Sequence, residues 1–143
     1  MGEKTRGDVR WSFWLIAGIT LVWNIMGAIN YGAQMNSDML AAYPEAERVI
    51  IEGRPAWATG GFAVAVFSGV IGGVLLLWRK SMASYFFLVS LLAVIVTHIH
   101  TLGIMRTSIE FGAKELSAIL MSLLVAAFLL WYSTWARSKG WID

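Results

Sequence analysis

Four long apolar stretches dominate the chain, near Trp11–Tyr31, Trp57–Trp78, Met82–Met105 and Leu116–Trp135, separated by two short polar turns and one longer loop. A bilayer core of about 30 Å is crossed by roughly 20 residues rising about 1.5 Å each, so every stretch predicts a membrane-spanning helix. Helices satisfy their own backbone hydrogen bonds, which an isolated strand in lipid cannot do. The expected fold is therefore all-α, an integral membrane bundle of four transmembrane helices, with residues 1–143 forming a single transmembrane domain. Trp11, Trp14, Trp57, Trp78, Trp131 and Trp135 stand at or close to the ends of these stretches, where an amphipathic indole prefers the headgroup level.

The loop 32–56 carries a helix-like unit of its own. Pro44 suits a first helical turn, Glu45 and Glu47 suit the dipole there, and Gly53 suits the end. Val49, Ile50 and Ile51 give that unit an apolar side, which predicts a short interfacial helix resting on the bilayer surface or capping the bundle. Basic residues set the orientation. Lys4, Arg6 and Arg10 precede the first span, Arg79 and Lys80 form the second–third turn, and Arg137 and Lys139 follow the fourth. The excess of Lys and Arg on that side places both termini in the cytoplasm and the 32–56 loop outside, and the expected location is a bacterial inner membrane. The first apolar run begins only at Trp11 and lacks a small-x-small cleavage site, so it is expected to be retained as a helix.

Composition narrows the function classes. The apolar share is 58%, the charged share 14% and the mean hydropathy +0.67, more apolar surface than a soluble domain of 143 residues could bury. The absence of cysteine excludes disulfides, thiolate nucleophiles and cysteine-held metals. The net charge is +2, and its basic residues sit at helix ends instead of forming a patch, which argues against nucleic acid as a partner. No nucleophile–base pair or carboxylate dyad lies within a span, so no catalytic residue and no metal site is assigned, and an enzyme is not expected.

Polar residues inside the spans are the candidates for function. Thr20, Asn24, Gly27 and Tyr31 recur at spacings of four, three and four and so share one face of the first helix, with Asn30 beside them. An unpaired amide in hydrocarbon costs several kcal/mol, so that face must look inward. The second helix has Gly61, Ala65, Gly69 and Gly73 four apart, a run that lets backbones approach closely, either within the chain or between two copies. The third helix holds the only histidines, His98 and His100, between Thr97 and Thr101. Two residues apart on a helix they point about 200° away from each other and cannot both hold one ion. Each is a candidate for a polar ligand contact or for axial ligation of haem. Asn24, Asn30, Tyr31, Thr97, His98, His100 and Thr101 thus form the expected ligand-binding set, concentrated in the half of the bundle away from the termini. Of the two histidines, His98 is expected to be the one that faces Asn24, hydrogen-bonded and partly buried.

The pairs Trp23-Asn24 and Asn30-Tyr31 with Gly27 between them, Pro55-Ala56-Trp57 opening the second span, and Leu129-Leu130-Trp131-Tyr132 followed by Gly140-Trp141 give the chain a further likeness. It resembles a family of small four-helix bacterial inner-membrane proteins often labelled sugar transporters. In that family an acidic residue commonly precedes the tyrosine, where this chain has Asn30. The resemblance implies the four-helix fold and a transport role. The leading expectation is accordingly transport or ligand binding through an outward-facing polar cavity, with a homodimer as one way to complete a path. The alternative is an accessory or assembly subunit of a larger membrane complex of respiratory or photosynthetic type. A haem- or quinone-binding redox protein built on His98 or His100 is third.

Overall fold

The computed structural model describes residues 8–105 and 112–143, and those residues contain helices and no strand. Four helices are long: α1 (Trp11–Met35), α4 (Ala56–Leu77), α5 (Ala83–Met105) and α6 (Ala113–Ser138). Two short ones, α2 (Ser37–Leu40) and α3 (Glu45–Glu52), lie in the loop between α1 and α4. The long helices carry 18-residue windows of mean hydropathy 1.7 to 2.2 and are each long enough to cross a bilayer. Ile19, Ile29 and Leu124 are 60%, 67% and 67% exposed, which only lipid can accommodate on a helix so apolar. The chain is a small multi-pass membrane protein.

α1 and α6 overrun the apolar stretches that announce them, whereas α4 and α5 match theirs to within one residue at each end. α1 continues past Tyr31 through Ala33, Gln34 and Met35, good helix formers that can project beyond hydrocarbon. Asn36 stops it in an extended conformation, and its side-chain oxygen accepts from Asp38 N and Met39 N to start α2. α6 begins three residues before Leu116, with Glu115 in its first turn, and runs to Ser138 with Arg137 in its last, each charge opposing the local end of the helix dipole. α3 starts after Pro44 and ends at Gly53.

The long helices stand in a curled row in which α1 packs on α4, α4 on α5 and α5 on α6. α1 and α6 close the ring near the termini through aromatic side chains: the Phe13 ring stacks on Tyr132 at 6.4 Å and meets Trp141 edge-on at 6.1 Å. Around it Ala17, Leu76, Ala83, Phe87 and Leu129 form the buried core. The α4–α5 turn closes the same end. Arg79 adopts a positive φ of 61°, a strained conformation for a residue with a side chain. It is held there by its Nε donating to Trp141 O at 2.6 Å and its carbonyl accepting from Asp143 N at 2.9 Å, while Ser81 N donates to Asp143 O. Residues 141–143 thereby strap the turn.

Small residues set how closely α4 meets both neighbours. A side chain at Gly69 would place its first carbon 1.9 Å from Asn24 Oδ1 on α1, and one at Gly73 would meet Leu21 Cα at 3.2 Å. Gly61 lies instead against Thr97 on α5, and the Ala65 carbonyl accepts from Ser90 on the same helix at 2.7 Å. Positions four apart drift about 40° around a helix, so this run turns from α5 toward α1 as it descends. Its partners are helices of the same chain.

Candidate ligand-binding cavity

Toward the end that carries α2 and α3, the four long helices leave a cavity of about 480 Å³ between them. Its polar lining consists of Asn24 and Asn30 from α1, Ser90, Thr97 and His98 from α5, and Ser122 from α6. The remainder is apolar, and Phe87 and Leu129 divide the cavity from the aromatic core beneath. Counted from the termini end at about 1.5 Å per residue, Asn24, His98 and Ser122 lie about 20, 22 and 24 Å along their helices, so they form one polar level. Trp23 and Met26, which line the cavity from α1, are 44% and 62% exposed. Across the seam Ala118 of α6 is exposed as well, so the cavity communicates with the surroundings between α1 and α6.

The hydrogen bonds of the polar lining show what the wall can still offer. Ser90 Oγ donates to Ala65 O, Thr97 Oγ1 to Ala93 O at 2.9 Å, and Ser122 Oγ to Ile119 O at 2.9 Å. Each hydroxyl has a single proton, so these three keep only lone pairs. His98 Nε2 lies 2.6 Å from Ser122 Oγ, and this hydrogen bond ties α5 to α6. Asn24 Nδ2 donates to Thr20 O at 2.9 Å, an intrahelical bond that leaves its oxygen against Gly69.

The seven expected ligand-binding residues divide. Asn24, Asn30, Thr97 and His98 line the cavity. Tyr31 shares the Asn24 face, but that face looks at α4, and at this height Phe62 and Phe67 fill the space, edge-on to the Tyr31 ring at 5.6 and 5.9 Å. His100 turns to the opposite side of α5 from His98 and sets its ring edge-on to Trp57 at 5.6 Å. Thr101 Oγ1 donates to Thr97 O at 3.3 Å and lies outside the lining. The two histidines do not meet, and among the described residues no three His, Asp or Glu side chains group as a metal site would require.

The mouth is built by the loop. Tyr43 donates its hydroxyl proton to Asn30 Oδ1 at 2.6 Å, and Lys114 at the start of α6 reaches Glu47 of α3 at 3.1 Å. Arg54, between α3 and α4, donates from Nη1 to Gln34 Oε1 at 3.1 Å, one turn beyond Asn30 on α1. Its guanidinium carbon stands 5.4 Å from the centre of Phe62, a residue of the cavity wall. Burial pushes the Arg54 pKa below the usual guanidinium value, and its Nε is buried without a partner.

Ser122 and Arg54 are among the site residues that sequence reasoning leaves out. A serine inside an apolar helix can bond its own preceding turn, so Ser122 carries no sign of a partner on α5. Arg54 reads as one of several loop charges. The chain matches no known family model, no curated protein and no solved structure.

Proposed function

We propose that this membrane protein binds a small, largely apolar molecule in the cavity between its four long helices, as a carrier or receptor of the transport class. The observation that carries the reading is the cavity itself. At about 480 Å³ it falls in the range that holds drug-sized ligands, and it combines an apolar body with a few polar groups, the composition of a ligand site. A sugar fits it poorly. A sugar presents many hydroxyls that each need a partner, whereas the lining offers six polar side chains on an otherwise apolar wall. The seam between α1 and α6 suits a molecule that arrives from the bilayer.

Ala126 lines the cavity and is buried, so Ala126→Phe fills the space from α6. Native mass spectrometry of the protein released from neutral detergent is expected to show a bound small molecule in the parent chain and none in Ala126→Phe. Identical spectra, with no adduct in either, would remove the ligand-binding reading in favour of an accessory subunit whose polar level only joins helices. Reporter fusions after Asp143 and in the Arg79–Lys80 turn are expected to read cytoplasmic, which opens the cavity toward the outer leaflet; an external reading at either would reverse that direction.

A further inference from the structure

Arg54 stands over Phe62 of the cavity wall and has no carboxylate partner among the described residues. Glu47, the acidic residue of the neighbouring loop helix that does form an ion pair, is taken by Lys114. Removing a guanidinium from water without a counter-ion is unfavourable, and one neutral acceptor, Gln34, offsets little of that cost. Of its five N–H groups the structure assigns one to Gln34, leaving the rest of a fork suited to a carboxylate or phosphate. Beneath this fork lie Phe62 and Asn30, and below them an apolar chamber that ends on Phe87 and Leu129. A positive site at the rim of an apolar, laterally open chamber complements one kind of molecule.

Resting on the cavity reading above, we propose that the ligand is a single-chain anionic amphiphile, with its carboxylate or phosphate head on Arg54 and its alkyl chain in the cavity. The head stays near the interface, where water and lipid headgroups screen it, and the chain replaces bilayer contacts with those of the wall. The Asn30 amide N–H groups supply further donors at the rim. The shared chemistry covers a free fatty acid and a lysophospholipid-type phosphate, which differ in head size and charge.

Four probes with the same chain separate the terms: dodecanoate, dodecyl phosphate, 1-dodecanol and dodecyltrimethylammonium. They are titrated calorimetrically at about pH 9, where the carboxyl is ionised, against the full chain in phosphatidylcholine nanodiscs, with empty nanodiscs subtracted. The parent protein is expected to bind at least one of the two anions about tenfold more tightly than the alcohol, the increment of a charge-assisted hydrogen bond, and the cation least. The tighter anion identifies the head. Arg54→Gln is expected to bind the anions and the alcohol alike, and Arg54→Lys to retain part of the preference. Equal binding of alcohol and both anions by the parent chain overturns the anionic assignment while leaving the cavity as a ligand site. Binding of none of the four probes by the parent chain overturns the cavity reading, and this inference with it.

Discussion

At the termini end Phe13 has no exposed surface and is enclosed by Tyr132, Trp141 and the strap over Arg79; about 25 Å along the same helix, Asn30 borders a cavity. The first region is filled by rings and small residues in contact. The second is spanned by single hydrogen bonds, Ser122 to His98 and Tyr43 to Asn30, and by one ion pair, Lys114 to Glu47. In lipid the hydrophobic effect does not drive helices together, so association rests on van der Waals contact and buried polar bonds. Between α1 and α6 the termini end is joined by ring contacts, whereas at the cavity end the rings of Tyr31 and Trp57 join α1 to α4 and α4 to α5, which leaves the α1–α6 seam as the part that can open.

Phe13→Ala tests the contrast most severely. It removes the ring that joins α1 to α6 and is expected to cost about 3 kcal/mol or more, read as a large fall in thermal midpoint; a fall no greater than that of Trp23→Ala, at the open seam, would erase the distinction between the ends. Next is a matched pair of glycines. Gly69→Ala drives a methyl into Asn24 and is expected to cost about 1–3 kcal/mol, whereas Gly60→Ala meets nothing within 4 Å and should be neutral or raise stability by up to about 1 kcal/mol. Equal midpoints for the two would show that the α1–α4 approach is not tight.

The histidines give a smaller difference. His98→Ala breaks the bond to Ser122 between α5 and α6 and should cost about 1 kcal/mol, in keeping with interhelical bonds in membranes. His100→Ala loses one edge-on contact with Trp57 and should cost less. A larger loss in His100→Ala would move the polar centre to the α4 side of α5. Smallest is Lys114→Gln, whose side chain is 80% exposed: at most about 1 kcal/mol is expected, vanishing in molar salt. A larger, salt-resistant loss would make the mouth a structural element in its own right.

The spans were legible because lipid requires long apolar runs, and α3 because Pro44, Glu45, Glu47 and Gly53 mark its limits. α2 was not read, since four residues give no periodicity and only Asn36 announces them. Periodicity also placed Asn24 and Tyr31 correctly on one face, but spacing fixes which residues share a face and not what fills the space opposite. Asn24 meets Gly69 while Tyr31 meets Phe62 and Phe67, so one borders the cavity and the other is packing. The same holds for His98 and His100: their divergence was readable from the 100° step, whereas Ser122 and Trp57 as the receiving partners depend on neighbouring helices. Arg54 was out of reach because its value comes from what lies beneath it.

The Phe13 contact has a mechanical consequence. With α1 and α6 joined near one end, any tilt of one against the other would act through an arm of about 25 Å, the distance from Phe13 to Asn30. A tilt of about 5° about the joined end moves the far tip by about 2 Å, comparable to the one-to-two-ångström shifts of packed helices in known switches. The aperture can therefore change by a large fraction of an alkyl chain's width while the rings at Phe13 slide by only tenths of an ångström. Leverage of this kind lets a rigid base and a variable opening coexist in one short bundle without a hinge in the backbone.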